Sequence, residues 1–174
     1  DKQSRYIEAF VNLDNTGIRV ASIYAPNGNP IQSEKYTYKI NWLENFHNHA
    51  KKLLEYEEYT FLGGDFNICP NNFDAAEDYL LSNDAIYTED VRKLYKKTIN
   101  LGYYDAFRSI NPNIPGFTYW DYGQSFKNDI GVRIDHFLLS PYALDKVDKI
   151  YVDKEPRAWE KPSDHTPLVL EIDI

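Results

Sequence analysis

Apolar and polar side chains alternate from the first residues onward. Ile7, Ala9, Val11 and Leu13 interleave with Glu8, Asn12 and Asp14, a period-two pattern that predicts a half-buried strand. Asn15-Thr16-Gly17 predicts a hairpin turn, and Ile18 to Tyr24 a second strand. The stretch Ala25-Pro26-Asn27-Gly28-Asn29-Pro30 is too rich in Pro, Gly and Asn to be anything but a loop. The apolar spacing then becomes helical from Ser33 to Leu54, through Tyr36, Ile40, Leu43, Phe46, Ala50 and Leu53, with Ser33 as N-cap. Tyr59 to Leu62 predicts a short buried strand stopped by Gly63-Gly64, and Asp74 to Ser82 a short helix. Thr88 caps a second long helix carrying Val91, Leu94, Tyr95 and Leu101, with Gly102 at its C-terminal end. Strands are predicted at Phe117 to Tyr122, Val132 to Leu139 and Thr166 to Ile172, with a weaker one near Lys149 to Val152 and a helical turn at Ser140-Pro141. Strands mixed with two substantial helices, without repeat or linker, predict one α/β (α+β) domain over residues 1–174, a sheet with helices on a face. Because the first strand begins near residue 1, its hairpin is expected to continue a sheet rather than form its edge.

Composition narrows the classes. The chain has 174 residues, 43% of them hydrophobic, enough for one core. A formal net charge of -8 argues against indiscriminate nucleic-acid binding through overall charge, but says nothing of a local groove. No apolar run approaches the roughly eighteen residues of a membrane helix, and the opening Asp-Lys-Gln-Ser-Arg holds no apolar signal core. A single cysteine, Cys69, cannot form an internal disulfide, so a cytoplasmic chain is expected.

The chemistry sits where strands run into loops. Asp65 and Asn67 follow the Gly63-Gly64 pair and, two residues apart, can reach one point; an Asx turn is the plainer alternative. Asp135 lies in the apolar run Val132-Arg133-Ile134-Asp135-His136-Phe137-Leu138-Leu139, where an unpaired carboxylate is costly. Arg133, on the same strand face, is its favoured partner; orienting a histidine is the alternative. Asp164-His165 opens the last strand and is placed beside Asp135, with His165 the candidate catalyst. His47 and His49 are expected to be solvated, and His136 to pack. Tyr24, where the second strand runs into the Pro-Asn-Gly loop, is placed to stack, donate a proton or bind phosphate, and Asn27 in that loop is a neutral donor whose plainer role is to hold the turn. Cys69 reads as a buried structural thiol, and Lys127 and Asn128 as candidate backbone contacts in a polar loop.

Taken in order, Tyr24-Ala25-Pro26-Asn27-Gly28, Gly64-Asp65-Phe66-Asn67-Ile68, Arg133-Ile134-Asp135 and Lys161-Pro162-Ser163-Asp164-His165 resemble segments of exodeoxyribonuclease III, within the endonuclease/exonuclease/phosphatase superfamily. Tyr103 to Arg108 and Phe117 to Trp120 also look like family segments. The resemblance runs from about Arg5 to the C-terminus. It implies part of a four-layer α/β sandwich with mostly antiparallel mixed sheets and flanking helices. It also implies metal-dependent phosphodiester hydrolysis, with Mg²⁺ or Mn²⁺, on double-stranded DNA bearing abasic sites or 3′ ends. A monomer in the cytoplasm, associated with the nucleoid, would fit. His165 would pair with Asp135 at the phosphate, and Asp65 would handle the proton of water or leaving oxygen. Asn67 would bind phosphate or position water, and Tyr24 and Asn27 would contact phosphate. Asp164, with Asp65 and Asn67, would serve the metal. Tyr119, Val132 and Ile134 would wall a pocket for a base-less sugar, with Val132 standing where some relatives have Trp.

The same resemblance implies a gap. Family members begin with strands carrying a metal-binding Asn and then a metal-binding Glu, and neither is found here. The chain alone is therefore expected to be inactive or nearly so. A catalytically silent binding module, or a phosphatase acting on lipid or inositol phosphates, are the alternatives.

Overall fold

The computed structural model of the chain describes residues 3–14 and 16–174. β1 (Tyr6–Asn12) and β2 (Gly17–Tyr24) pair antiparallel in continuous register from Tyr6–Ile23 to Asn12–Gly17. The predicted turn between them includes Asn15, which lies outside the described residues. α1 (Glu34–Leu54) starts where the Ser33 hydroxyl accepts the Tyr36 N–H. It carries the chain back to β3 (Tyr59–Asp65), which runs parallel to β2 as a crossover helix allows. β5 (Asp135–Leu139) adds antiparallel to β3, and the short β4 (Tyr104–Asp105) adds to β5. The resulting five-stranded sheet has the order β1-β2-β3-β5-β4.

Period-two alternation along β3 builds both faces. Leu62 points with Leu138 toward α1 and α2 (Glu89–Ile99), where Trp42, Leu43, Phe46, Ala50, Leu53, Val91 and Tyr95 close one core. Phe61 points with Leu139 to the opposite face. There α3 (Ala106–Ile110), α4 (Pro141–Leu144) and a two-stranded sheet of β6 (Val147–Val152) and β7 (Leu168–Ile172) cover it through Ile150, Leu168 and Leu170. The described residues thus hold two sheets, as the resemblance implies and not the one layer the strand pattern alone predicts, because β6 and β7 satisfy their backbone groups with each other. Among the described residues β1 pairs with β2 alone, and Ile7 is 71% exposed.

Several expectations shift for local reasons. Phe117 to Tyr122 is not a strand: the Thr118 and Tyr119 N–H groups both bond the Val132 carbonyl, which breaks ladder spacing, and only Tyr119 makes bridges. β5 begins at Asp135 rather than Val132, because the Thr118 hydroxyl takes the N–H groups of Ile134 and Asp135, each at 3.2 Å. Asp74 to Ser82 resolves into two 3₁₀ turns, Asn72–Asp74 and Asp78–Leu81. Thr88 precedes α2 but does not cap it with its side chain; its hydroxyl accepts from Tyr36 instead. His47 is buried against Thr98 rather than solvated, and the half-exposed His49 bonds Glu8 at 2.8 Å.

Arg133 does not pair with Asp135. Fully buried, its guanidinium bonds Asp74 at 2.7 Å and Asp105 at 2.8 Å, and a further N–H reaches His136 Nδ1. The one guanidinium and the two carboxylates around it keep one another charged inside the protein, the cation offsetting the repulsion between the anions. Burial opposes ionisation of Asp74 and Asp105, yet the Arg133 charge outweighs it and holds both below the usual carboxylate range. His136 packs as expected, and burial followed by the Arg133 charge lowers it to about 4.

Candidate active site

Sheet register assembles the site. Tyr24 at the end of β2 lies opposite Asp65 at the end of β3, and Asp65 lies opposite Asp135 at the start of β5. These residues therefore form one transverse row at the sheet's rim, where strands give way to loops. Gly64 lets the row close. Its φ is +140°, and a Cβ there would stand 2.1 Å from the Ile23 carbonyl oxygen. Tyr119 extends the row by isolated bridges to Val132 and to His165.

His165 Nδ1 stands 2.8 Å from Asp135 Oδ2. Burial alone would lower the imidazole pKa, but the Asp135 hydrogen bond and charge, then Asp65 and Asp164, outweigh it and raise it. Asp65 moves up as well, to about 6, chiefly through burial and then the Asp135 charge. A carboxyl poised there both donates and accepts a proton near neutrality.

Asn67 leaves the strand with φ +50° and turns back on Asp65. Its N–H donates to Asp65 Oδ1 at 2.7 Å, and its Nδ2 donates to Asp65 Oδ2 and to the Ala25 carbonyl, both at 2.9 Å. The Asx turn and the site therefore coexist. Both amide hydrogens are committed, so Asn67 orients the Asp65 carboxylate. Asn27 Nδ2 approaches Asn67 Oδ1 at a long 3.5 Å, leaving it the freer donor. Beneath them lies Lys39, fully buried, its Nζ donating to the carbonyls of Asn67 at 2.5 Å and Asn27 at 3.0 Å. Burial lowers its pKa to about 7, against the raising charges of Asp84 and Asp65.

A cleft of about 230 Å³ opens over this row, bounded by Tyr24, Asn27, Asp65, Asn67, Tyr119, Ile134, Asp164 and His165, and also by Asp84 and Ile86. Asp135 stands behind His165 and reaches the cleft through it. Val132 does not line the cleft; it packs with Cys69, Ile86 and Tyr119. Trp120 is wholly buried, and Cys69 is buried with its thiol pushed up to about 12. Lys127 and Asn128 sit on an exposed turn away from these residues.

Lys39, Asp84 and Ile86 were not among the residues singled out from sequence. Lys39 had a readable signal, since with Leu43 and Phe46 it falls on the apolar stripe of α1. Asp84 did not: its carboxylate accepts from Asn29 and the Ile86 N–H across a loop.

The donors do not make a metal cage. Among the described residues, no group of three or more His, Cys, Asp or Glu side chains is arranged to hold a metal ion. Nor is any described helix long and apolar enough to cross a membrane.

An oriented imidazole, a carboxyl titrating near neutrality and amide donors in one polar cleft are the equipment of acid–base chemistry on an ester. Residues 4–165 match the model of the Endonuclease/Exonuclease/phosphatase family, and the chain belongs to that family. It is 28% identical to exodeoxyribonuclease III of Haemophilus influenzae over 98% of this chain and 67% of that one. Its fold superposes on a 3′ phosphatase, NExo, from Neisseria bound to product DNA hairpin, with a TM-score of 0.93, 32% identity and coverage of 100% of this chain and 66% of that chain. An AP endonuclease from Archaeoglobus fulgidus gives a TM-score of 0.89 at 35% identity, covering 98% of this chain and 65% of that chain. The chain thus spans about two thirds of the length of these relatives.

Proposed function

We propose that this chain carries the phosphate and proton-transfer half of a DNA-repair phosphodiesterase of the exodeoxyribonuclease III type. The observation behind it is the His165–Asp135 pair at 2.8 Å sharing one polar cleft with Asp65. His165, whose pKa the Asp135 hydrogen bond and charge help raise, stabilises charge on a phosphoryl oxygen when protonated. Asp65, oriented by Asn67, takes the proton of the attacking water or returns one to the leaving oxygen. Asn27 and the Tyr24 hydroxyl donate to non-bridging oxygens, and Tyr119 and Ile134 form the wall against the sugar. The substrate class is duplex DNA with abasic sites or 3′ ends, read through its backbone. The protein works as a cytoplasmic, nucleoid-associated monomer.

A divalent cation, Mg²⁺ or Mn²⁺, would offset charge on the phosphate when bound. Asp65 and Asp164 are two of the three cleft carboxylates, beside Asp84, and would contribute to holding it. Because they form no cage alone, the 174-residue chain is inactive or nearly so. The absence of a three-ligand group also supports the alternative of a catalytically silent module for the chain by itself.

The test is a nicking assay on duplex DNA with one abasic site and millimolar Mg²⁺. The chain is run alone and joined to a relative's N-terminal segment bearing the implied Asn and Glu ligands. The joined protein should nick, and His165→Ala should abolish it. Silence of the joined protein on DNA would sink the nuclease reading, and robust cleavage by the chain alone would sink the incompleteness.

A further inference from the structure

His165 belongs to two concavities. One face lines the polar cleft, and the other joins a groove of about 470 Å³ with Pro156, Trp159, Lys161, Pro162 and Pro167. The volume falls in the range of small-molecule sites, roughly 300–1,000 Å³. Its most prominent side chain is Trp159, 61% exposed. The platform is anchored. The preceding 3₁₀ turn, Pro156–Ala158, is pinned by the buried Arg157, whose Nη2 donates to the Trp120 carbonyl at 3.0 Å, and the Trp159 N–H bonds the Pro156 carbonyl. An indole held open to water on a fixed turn beside a reactive histidine is placed to stack on a flat ligand.

Charge chooses the ligand. Glu160 and Lys161 both border the groove and offset each other, leaving indole and proline surface with the hydroxyls of Ser163 and Thr166 and the His165 ring at its border. That surface suits an uncharged ring and not a second phosphate. Because His165 is shared, a nucleotide whose phosphate rests at the cleft has its neighbouring base within reach of the groove.

We propose that the Trp159 groove is a nucleobase subsite, receiving an unstacked base of the strand whose phosphate His165 holds. The subsite rests on the phosphodiesterase reading above and adds a preference for frayed or single-stranded ends, since a base still stacked in duplex cannot enter.

The remaining tryptophans, Trp42 and Trp120, are buried, so a ligand in the groove reports through Trp159 emission. The protein, in EDTA, is titrated with oligothymidylate while its fluorescence is followed. Binding is measured separately by anisotropy of a labelled oligothymidylate, and a base-free deoxyribose-phosphate oligomer serves as control. Oligothymidylate should change Trp159 emission and shield it from acrylamide, whereas the base-free strand should bind without doing so. Trp159→Ala should weaken oligothymidylate binding about tenfold. Trp159→Phe should keep most of the affinity and lose the emission change. Oligothymidylate binding with unaltered Trp159 emission, or equal affinity in Trp159→Ala, overturns the subsite and leaves the phosphate cleft standing. Binding of neither strand overturns both.

Discussion

Asp135 Oδ2 holds His165 Nδ1 at 2.8 Å across a separation of 30 residues. With Nδ1 committed, Nε2 is the ring atom left for another partner. Asp135→Asn removes the accepting charge, leaving the burial that opposes protonation against Asp65 and Asp164 alone. His165 should titrate above the ordinary 6.5 in the wild type and lower in the variant than in the wild type, with Asp65 and Asp164 still raising it. NMR titration of the His165 ring checks this. The sign for stability follows: the raised imidazole stabilises the fold below pH 6.5, and that contribution fades as pH rises through its folded pKa.

Asp65 gives a second pH signature. Its folded pKa of about 6 exceeds the ordinary 3.8, so the folded state binds the proton more tightly. This contribution is full below pH 3.8 and is lost as pH rises to about 6. The loss amounts to about 3 kcal/mol at most. The stability difference between wild type and Asp65→Asn, from urea melts in EDTA, should change across that window and level off above it. A flat difference from pH 4 to 7 would refute the raised carboxyl.

Arg133→Met should destabilise the protein by about 3–5 kcal/mol, because Asp105 loses its guanidinium partner and Asp74 is left with Arg108, 2.6 Å away, to balance its charge. Denaturant titration at neutral pH measures it. The loss should shrink in acid, where the less well-balanced carboxylates take up protons.

Gly64→Ala should disturb the rim row directly. A methyl 2.1 Å from the Ile23 carbonyl oxygen meets backbone, so β2 and β3 must separate where Tyr24 and Asp65 face each other. A loss of about 1–3 kcal/mol is expected, with exchange of the neighbouring amides accelerated. Gly102→Ala, whose Cβ would meet only Leu54 Cδ1 at 3.8 Å, controls for positive φ without the clash.

Mg²⁺ titration of the chain by calorimetry should reveal no site tighter than about 1 mM, the level of weak oxygen-ligand sites. A micromolar site would mean that Asp65, Asn67 and Asp164 suffice as ligands.

What could be read from the sequence was what depends on neighbours in the chain. Strand and helix periods located β1, β2, α1, β3 and α2 within a few residues, and strand ends flagged Tyr24, Asp65 and Asp135. What could not be read depends on distant segments meeting. Arg133 looked like a partner for Asp135 two positions away, but Asp74, 59 residues off, arrives at its Nε. His47 and Lys39 carry polar labels on a helix face that geometry buries, Lys39 satisfied only by carbonyls of two loops. Val132 shares a chain segment with Ile134 but turns into the packing behind the cleft.

The buried Cys69 turns the molecule into its own gauge. Its Sγ donates to the Asn71 carbonyl, its N–H bonds the Ile86 carbonyl, and no other thiol competes for a reagent. Alkylation must wait for the buried segment that carries the thiol to open, so the labelling rate in native buffer reports how readily that segment opens.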